Sequence, residues 1–325
     1  MLRRTLLVAA LLAAPLASAA LAAAQEEAGC TWLPDLRCGR EGGRPEGFHK
    51  PIVQPYLFED PFITTGLYPY YVYHDFPNQS IFEGGHAQVV ALQARVALTD
   101  RLAFIATKDG YLWNDPHLSL LDDEEGWMNV AGGFKYQLVK DDERRFYLAP
   151  ALRFEFDSGA HDVFQGQGDG LVIPSISAAW GVGKTHLIAG LGGQIPIDGR
   201  LQSSSIFYDL YLDYEVHPRF TPFVQISGLY WVESGDGQFP IALKNNVDIP
   251  LSAAQAALGT GPCEGGDLAN LGSPGVDNLD LVTAAVGAHL RLAEHLTWSV
   301  AYERAITTRK GIFQQRVTTA LVVEF

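Results

Sequence analysis

The chain has 325 residues, of which 47% are hydrophobic and 18% charged, with 33 glycines and a net charge of −14. That composition excludes a disordered chain, collagen and a coiled coil. It also argues against a nucleic-acid surface, which needs clustered Lys and Arg. Soluble domains carry about 25% charged residues, so the low charged fraction already sets this chain apart.

The N-terminus reads as an export signal. Arg3 and Arg4 form a basic start, Thr5 to Ala24 is apolar apart from Pro15 and Ser18, and small residues at Ala22 and Ala24 suit cleavage before Gln25. Residues 1–24 are therefore expected to be a signal peptide. No later stretch reaches the ~18 uninterrupted apolar residues of a spanning helix. Glu27 stands where a lipoprotein motif needs an apolar residue, so Cys30 is not expected to carry lipid. Cys30 and Cys38 are close enough to close a small disulfide loop in an oxidising compartment, with Cys263 left unpaired. Residues 25–61 look irregular, punctuated by Pro34, Pro45, Pro51, Pro55 and Pro61. They read either as a periplasmic tail or as a segment tucked into a barrel as a plug.

From residue 62 onward apolar and polar residues alternate with period two. The predicted strands are 63–74, 84–98, 101–113, 127–140, 144–157, 170–183, 185–195, 204–216, 219–232, 280–292, 295–306 and 312–325, twelve in all. Gly110 marks a possible bulge in the third. In the eighth, Ile206, Tyr208, Leu210, Leu212 and Tyr214 oppose Phe207, Asp209, Tyr211, Asp213 and Glu215. In the last, Phe313, Gln315, Val317, Thr319, Leu321, Val323 and Phe325 share one face. Connections alternate between tight turns, such as Thr99-Asp100-Arg101 and His217-Pro218, and long ones at 114–126, 158–169 and 233–279. This alternation marks an outer-membrane barrel with short periplasmic turns and long outer loops.

Period two alone does not separate a membrane barrel from a soluble sandwich. Strands of this length suit a tilted span, which needs ~9–11 residues. The polar faces are rich in Ser, Ala and Gly rather than Lys and Glu, and aromatics gather near strand ends (Trp127, Phe146, Tyr147, Tyr230, Trp231, Phe325). The expected fold is an all-β, transmembrane, antiparallel up-and-down β-barrel over residues 62–325.

The closing stretch VTTALVVEF, ending on Phe325, resembles the C-terminal assembly signal of Gram-negative outer-membrane barrels, and the hairpin ARVALTDRLAFIATKDGYLW resembles their strand–turn–strand units. More loosely, the chain resembles uncharacterised barrels grouped with the phenol meta-pathway transporter-like family. The resemblance implies location in the outer membrane, with lipid, lipopolysaccharide and the barrel-assembly machinery as partners. It names no solute.

If apolar faces meet lipid, the polar faces line the lumen. That assigns Gln93, Arg95, Lys135, Arg153, Glu155, Asp209, Asp213, Glu215, Gln225, His289, Arg291, Glu303 and Arg316 to the interior. Twelve strands lie between filled eight-stranded barrels and aqueous sixteen-stranded ones. The lumen is thus either a polar path that selects small solutes or an ion-pair network that closes the barrel. In the closed case the basic residues are expected to pair with the acidic row Asp209, Asp213 and Glu215. The acidic loop run Asp122, Asp123, Glu124 and Glu125 reads as a solvated rim, since it matches no calcium loop. No metal or cofactor is expected. No Ser is linked to a His in a recognisable motif, so a passive channel is favoured over an outer-membrane hydrolase.

Two outcomes follow from the sequence. Removing Phe325 should lower the amount of protein assembled in the outer membrane, and fractionation with undiminished levels would refute that role. Mass spectrometry of the unreduced protein should find Cys30 linked to Cys38, and a Cys38–Cys263 link would refute it.

Overall fold

The computed structural model describes residues 43–244, 247–308 and 311–325. The expected signal peptide, Cys30 and Cys38 lie outside the described residues. Twelve antiparallel strands form a closed ring. These are β1 (Gly66–Asp75), β2 (Gly85–Ala97), β3 (Leu102–Lys108, resuming as Tyr111–Pro116), β4 (Glu124–Trp127, resuming as Val130–Tyr136), β5 (Phe146–Phe156), β6 (Leu171–Val182), β7 (Thr185–Pro196), β8 (Ser204–Tyr214), β9 (Phe220–Glu233), β10 (Asp280–Ala293), β11 (Leu296–Ala305) and β12 (Gln315–Glu324). Each pairs with its sequence neighbours, and β1 pairs with both β2 and β12, which closes the ring.

Closure removes the free sheet edges that a membrane would not tolerate. The ring ends where the sequence signal lies: Gly66 pairs with Glu324, and the Phe325 N–H donates to Thr65 O at 2.9 Å. Gly110 has φ +127° and separates the two halves of β3. Phe313 departs from the expected pattern. It precedes β12, and instead of sharing an outward face it is buried under the Arg316 guanidinium, 4.8 Å from its ring centroid.

Outward positions carry a continuous apolar surface, including Leu92, Phe134, Leu152, Ile176, Leu191, Leu210, Ile226 and Val286, all exposed. Soluble monomers rarely expose apolar patches beyond a few hundred Å², so this belt is a lipid-facing surface. Trp127, Trp180, Tyr214, Trp298 and Tyr302 add exposed aromatics, the residues favoured at the headgroup level.

One end of the barrel has tight turns, such as Gly183-Lys184 between β6 and β7. The other carries the long connections. The longest, between β9 and β10, holds a small hairpin (Pro240–Leu243 with Val247–Pro250) and the helix α1 (Leu251–Leu258). Its Phe239, Ile241 and Leu251 are buried in one cluster with Ile81, Phe82, Leu118 and Leu121 of neighbouring loops. Cys263 is buried within this cap, and burial pushes its thiol up to about 12.

Candidate functional site: the filled lumen

Residues 47–64 do not extend away from the barrel. Almost all are buried, from Phe48 through Thr64, and their partners are inward-facing side chains from around the ring. Phe48 packs on His186 of β7 and Tyr147 of β5. His49 stacks on His289 of β10, with ring centroids 4.6 Å apart. Tyr56 reaches Met128 between the halves of β4. The segment enters at the tight-turn end, turns at Gln54, whose carbonyl accepts from the Leu57 and Phe58 N–H groups, and returns to the same end to begin β1. Gln54 adopts φ +49°, the left-handed conformation that the reversal requires. We call this re-entrant segment the plug.

Its backbone has no strand partner, so wall side chains satisfy its carbonyls. Gln93 donates to Pro55 O at 2.8 Å and Gln137 to Pro61 O at 3.0 Å. Arg153 donates to Tyr56 O and Leu57 O at 3.0 and 2.8 Å.

Charge fixes the plug most firmly. Glu59 receives both forks of Arg95, at 2.6 and 3.2 Å, and Lys135 Nζ at 2.8 Å. Lys50 Nζ stands 3.5 Å from Glu59 and 3.6 Å from Asp60. Arg44 joins Asp60 at 3.0 Å and Glu324 of β12 at 2.8 Å, and Tyr68 donates to the same Glu324 oxygen at 2.9 Å. These groups are withdrawn from water: Arg95 is 2% exposed, Lys135 1% and Glu59 5%.

The structure therefore separates the thirteen lumen positions. Gln93, Arg95, Lys135 and Arg153 hold the plug. Glu155 accepts Lys108 Nζ at 2.6 Å and Asn129 at 2.9 Å. Arg316 makes a bidentate pair with Asp267 of the long loop, at 2.6 and 2.9 Å, and lies 3.9 Å from Glu303. Glu215 is half-buried in the turn after β8, and Arg291 is exposed at the end of β10, so neither belongs to the buried interior.

The expected pairing between basic residues and the acidic row does not form. Asp209 accepts Ser227 Oγ at 2.6 Å and Gln225 Nε2 at 3.0 Å. Asp213 takes His186 Nδ1 at 2.6 Å and the Tyr211 hydroxyl at 2.8 Å. The basic side chains reach plug and loop partners that strand periodicity does not reveal. Arg44, Lys50, Glu59, Asp60 and Asp267 are accordingly the functional residues missed in the sequence. The available signal was the apolar run Ile52, Val53, Tyr56, Leu57 and Phe58, too hydrophobic for a solvated tail.

The fold also joins a Ser to a His. Ser299 Oγ and His289 Nδ1 lie 2.7 Å apart, and Tyr211 OH lies 2.8 Å from His289 Nε2. Both Ser299 and His289 are buried, and His49 of the plug covers the imidazole.

Compared with solved structures, the chain is similar to an outer-membrane channel from Pseudomonas putida F1, with 13% identity over 83% of this chain and 98% of that one, at TM-score 0.54. It is also similar to the KdgM porin, with 10% identity over 79% of this chain and 99% of that one, at TM-score 0.42. A third, the outer-membrane protein OprD from Pseudomonas aeruginosa, shares 8% identity over 85% of this chain and 96% of that one, at TM-score 0.35. No protein-family model matches the chain, and no curated protein matches it in sequence. At 13% identity the likeness to the first is one of fold, and it places the chain among barrels of the outer-membrane type.

Gly190 offers a direct test of the plug seat. A Cβ there would stand 2.8 Å from the Phe58 ring, closer than packed carbons allow. Gly190→Val should displace the plug without touching an ion pair, and cysteine-accessibility labelling at Val53→Cys, a buried plug position, with Phe58 retained, should rise relative to the same cysteine in the Gly190 background. Equal labelling would show that Phe58 does not seat on Gly190.

Proposed function

We propose that the protein is an exported outer-membrane barrel that acts as a channel or facilitator for small solutes, closed in this conformation by its own plug. The tight turns would face the periplasm, and the capped loops would face outward among lipopolysaccharide. Kinship with the phenol meta-pathway transporter-like barrels remains part of this proposal and adds no substrate to it. One observation carries the reading. The plug enters and leaves by the same end and meets the wall through side chains, with no backbone pairing to any barrel strand. It can withdraw while the twelve-stranded ring stays closed.

Transport is favoured over hydrolysis because withdrawal of the plug would open a path through the ring, whereas in this conformation Ser299 and His289 are buried under His49. A purely structural barrel is the alternative, and the sealed interior is the observation that favours it.

Electrical recordings in planar bilayers separate the two. Wild-type protein should show little conductance, and deletion of Phe48–Asp60 should give sustained openings. Glu59→Gln should act in the same direction, because it leaves Arg95 without a carboxylate and Lys50 and Lys135 with Asp60 alone, at a cost of about 3–5 kcal/mol for breaking such a network. A deletion variant that retains the heat-modifiable mobility of a folded barrel yet stays silent would establish the structural reading.

A further inference from the structure

Apart from Arg316 of β12, the cations of the interior are gathered on β2–β5 and on the N-terminal segment that forms the plug. The opposite wall, β8–β11, is built differently. Asp209 uses Oδ1 for both of its hydrogen bonds, and Glu303 Oε1 accepts Thr283 Oγ1 at 2.5 Å. The second oxygen of each carboxylate, Asp209 Oδ2 and Glu303 Oε2, has no hydrogen-bond donor, and neither does Gln225 Oε1. All three residues are at least 97% buried.

Strand register sets these residues along one wall, Asp209 on β8, Gln225 on β9 and Glu303 on β11. Asp209 pairs with Ser227 across β8–β9, and Ser227 pairs with Thr283 across β9–β10. Ala285 lies between Gln225 and Glu303 in the adjacent row. Small side chains thus separate the acceptors.

The cations nearby are committed elsewhere. Both Arg316 Nη atoms donate to Asp267, leaving 3.9 Å to Glu303. Arg153 is within Coulombic range of Asp209 but gives its Nη atoms to plug carbonyls, and its Nε has no hydrogen-bond partner. His74 accepts from Arg316 Nε through Nδ1 and is therefore not a second cation. Asp209, Glu303 and Asp267 thus share two guanidiniums, Arg316 and Arg153, and neither donates a hydrogen bond to Asp209 Oδ2 or Glu303 Oε2. A buried carboxylate oxygen without a partner is costly, and here two occur with an orphaned amide oxygen beside them.

We propose that this wall binds a small cation between Asp209 and Glu303, with Gln225 Oε1 and the Ser227 and Thr283 hydroxyls as further oxygen ligands. Carboxylate, amide and hydroxyl oxygens are the donors that Ca²⁺ prefers, and they equally accept hydrogen bonds from an ammonium group. Among the described residues no three His, Cys, Asp or Glu side chains converge on one point, so the neutral oxygens and water complete the shell. The site's two carboxylates take no part in the plug's ion pairs, and Gln225 is the proposed ligand that also touches the plug, through Val53 O at 3.5 Å.

Binding is read on the intact, closed protein. Chelator-treated barrel in detergent is unfolded thermally at fixed ionic strength in Ca²⁺, Na⁺, methylammonium or, as a bulky control, choline. A small cation should raise the midpoint above the choline value. Asp209→Asn and Glu303→Gln should each weaken the apparent affinity at least about tenfold, roughly 1.4 kcal/mol. Asp122→Asn with Asp123→Asn, on the exposed acidic run, should leave it unchanged. Stabilisation by Ca²⁺ or Na⁺ but not methylammonium identifies a resident inorganic ion, and stabilisation by methylammonium identifies a solute's ammonium group. No midpoint above choline, or a shift that survives both lumen substitutions, overturns the proposal. If the variants fail to fold, wild-type crystals grown with Sr²⁺ and Rb⁺ decide, since an anomalous peak beside Asp209 Oδ2 supports the site and its absence from both removes it. An infrared carboxylic-acid band that persists with cation present and vanishes in Asp209→Asn also overturns it, by showing that a proton does the neutralising.

Discussion

The interior of this barrel is organised around one carboxylate. Glu59 is carried into a space that holds Arg95, Lys135 and Lys50, and none of these charges could remain there unpaired. Desolvating each ion costs several kcal/mol, and only short, multiple hydrogen bonds offset that cost. Arg95 supplies a two-pronged contact, and Lys135 adds a bond to Asp60 O at 2.8 Å. The network adds little net stability but strongly opposes any arrangement that breaks it in part. It therefore fixes where the plug sits more than how stable the protein is.

From that constraint follows the division of the lumen into two walls. The cationic side, β2 to β5, is neutralised by the plug's acids and by its backbone carbonyls. The anionic side, β8 to β11, meets the plug through weak or neutral contacts such as Gln225 to Val53 O at 3.5 Å and the stack of His49 on His289. A twelve-stranded ring is too wide for its own side chains to fill and too narrow for a broad aqueous channel. The plug fills the difference, with Phe58 against Gly190 and Phe48 against Gly181. Glycines and small residues on the inward faces of β6 and β7 are thus room for plug aromatics.

Strand number, order and closure were legible because period two is a local property that each strand carries alone. The long-loop and tight-turn ends were legible for the same reason, as were inward positions such as Arg95, Lys135, Arg153 and Arg316. What those side chains touch was not. Arg316 and Asp267 are far apart in the chain, and Glu59 reaches Arg95 and Lys135 only because residues 47–64 double back. Irregular segments have no periodicity to betray a direction, so the sequence left tail and plug both open, and the apolar content of residues 52–58 was the signal that could have decided between them. The acidic row misled because shared facing was taken to imply a shared charge partner. Asp209 and Asp213 instead find Ser227, Gln225, His186 and Tyr211, hydrogen-bonding groups that strand-face reasoning treats as filler.

The same physics sets how such a plug can move. Its contacts are of two kinds: apolar packing, which weakens gradually as surfaces separate, and buried ion pairs, which do not. Withdrawing Glu59 by even a few Å within a dry lumen leaves Arg95 and Lys135 facing each other without a counter-ion. The barrier falls only if water or an anion follows the carboxylate inward. On the proposed channel reading, opening would be coupled to wetting of the β2–β5 wall from the tight-turn end, where Arg44, Glu324 and Tyr68 form the outermost layer of the network. Those rim contacts would loosen before the central ones, because the buried pairs at Glu59 cannot be broken in part without stranding a charge.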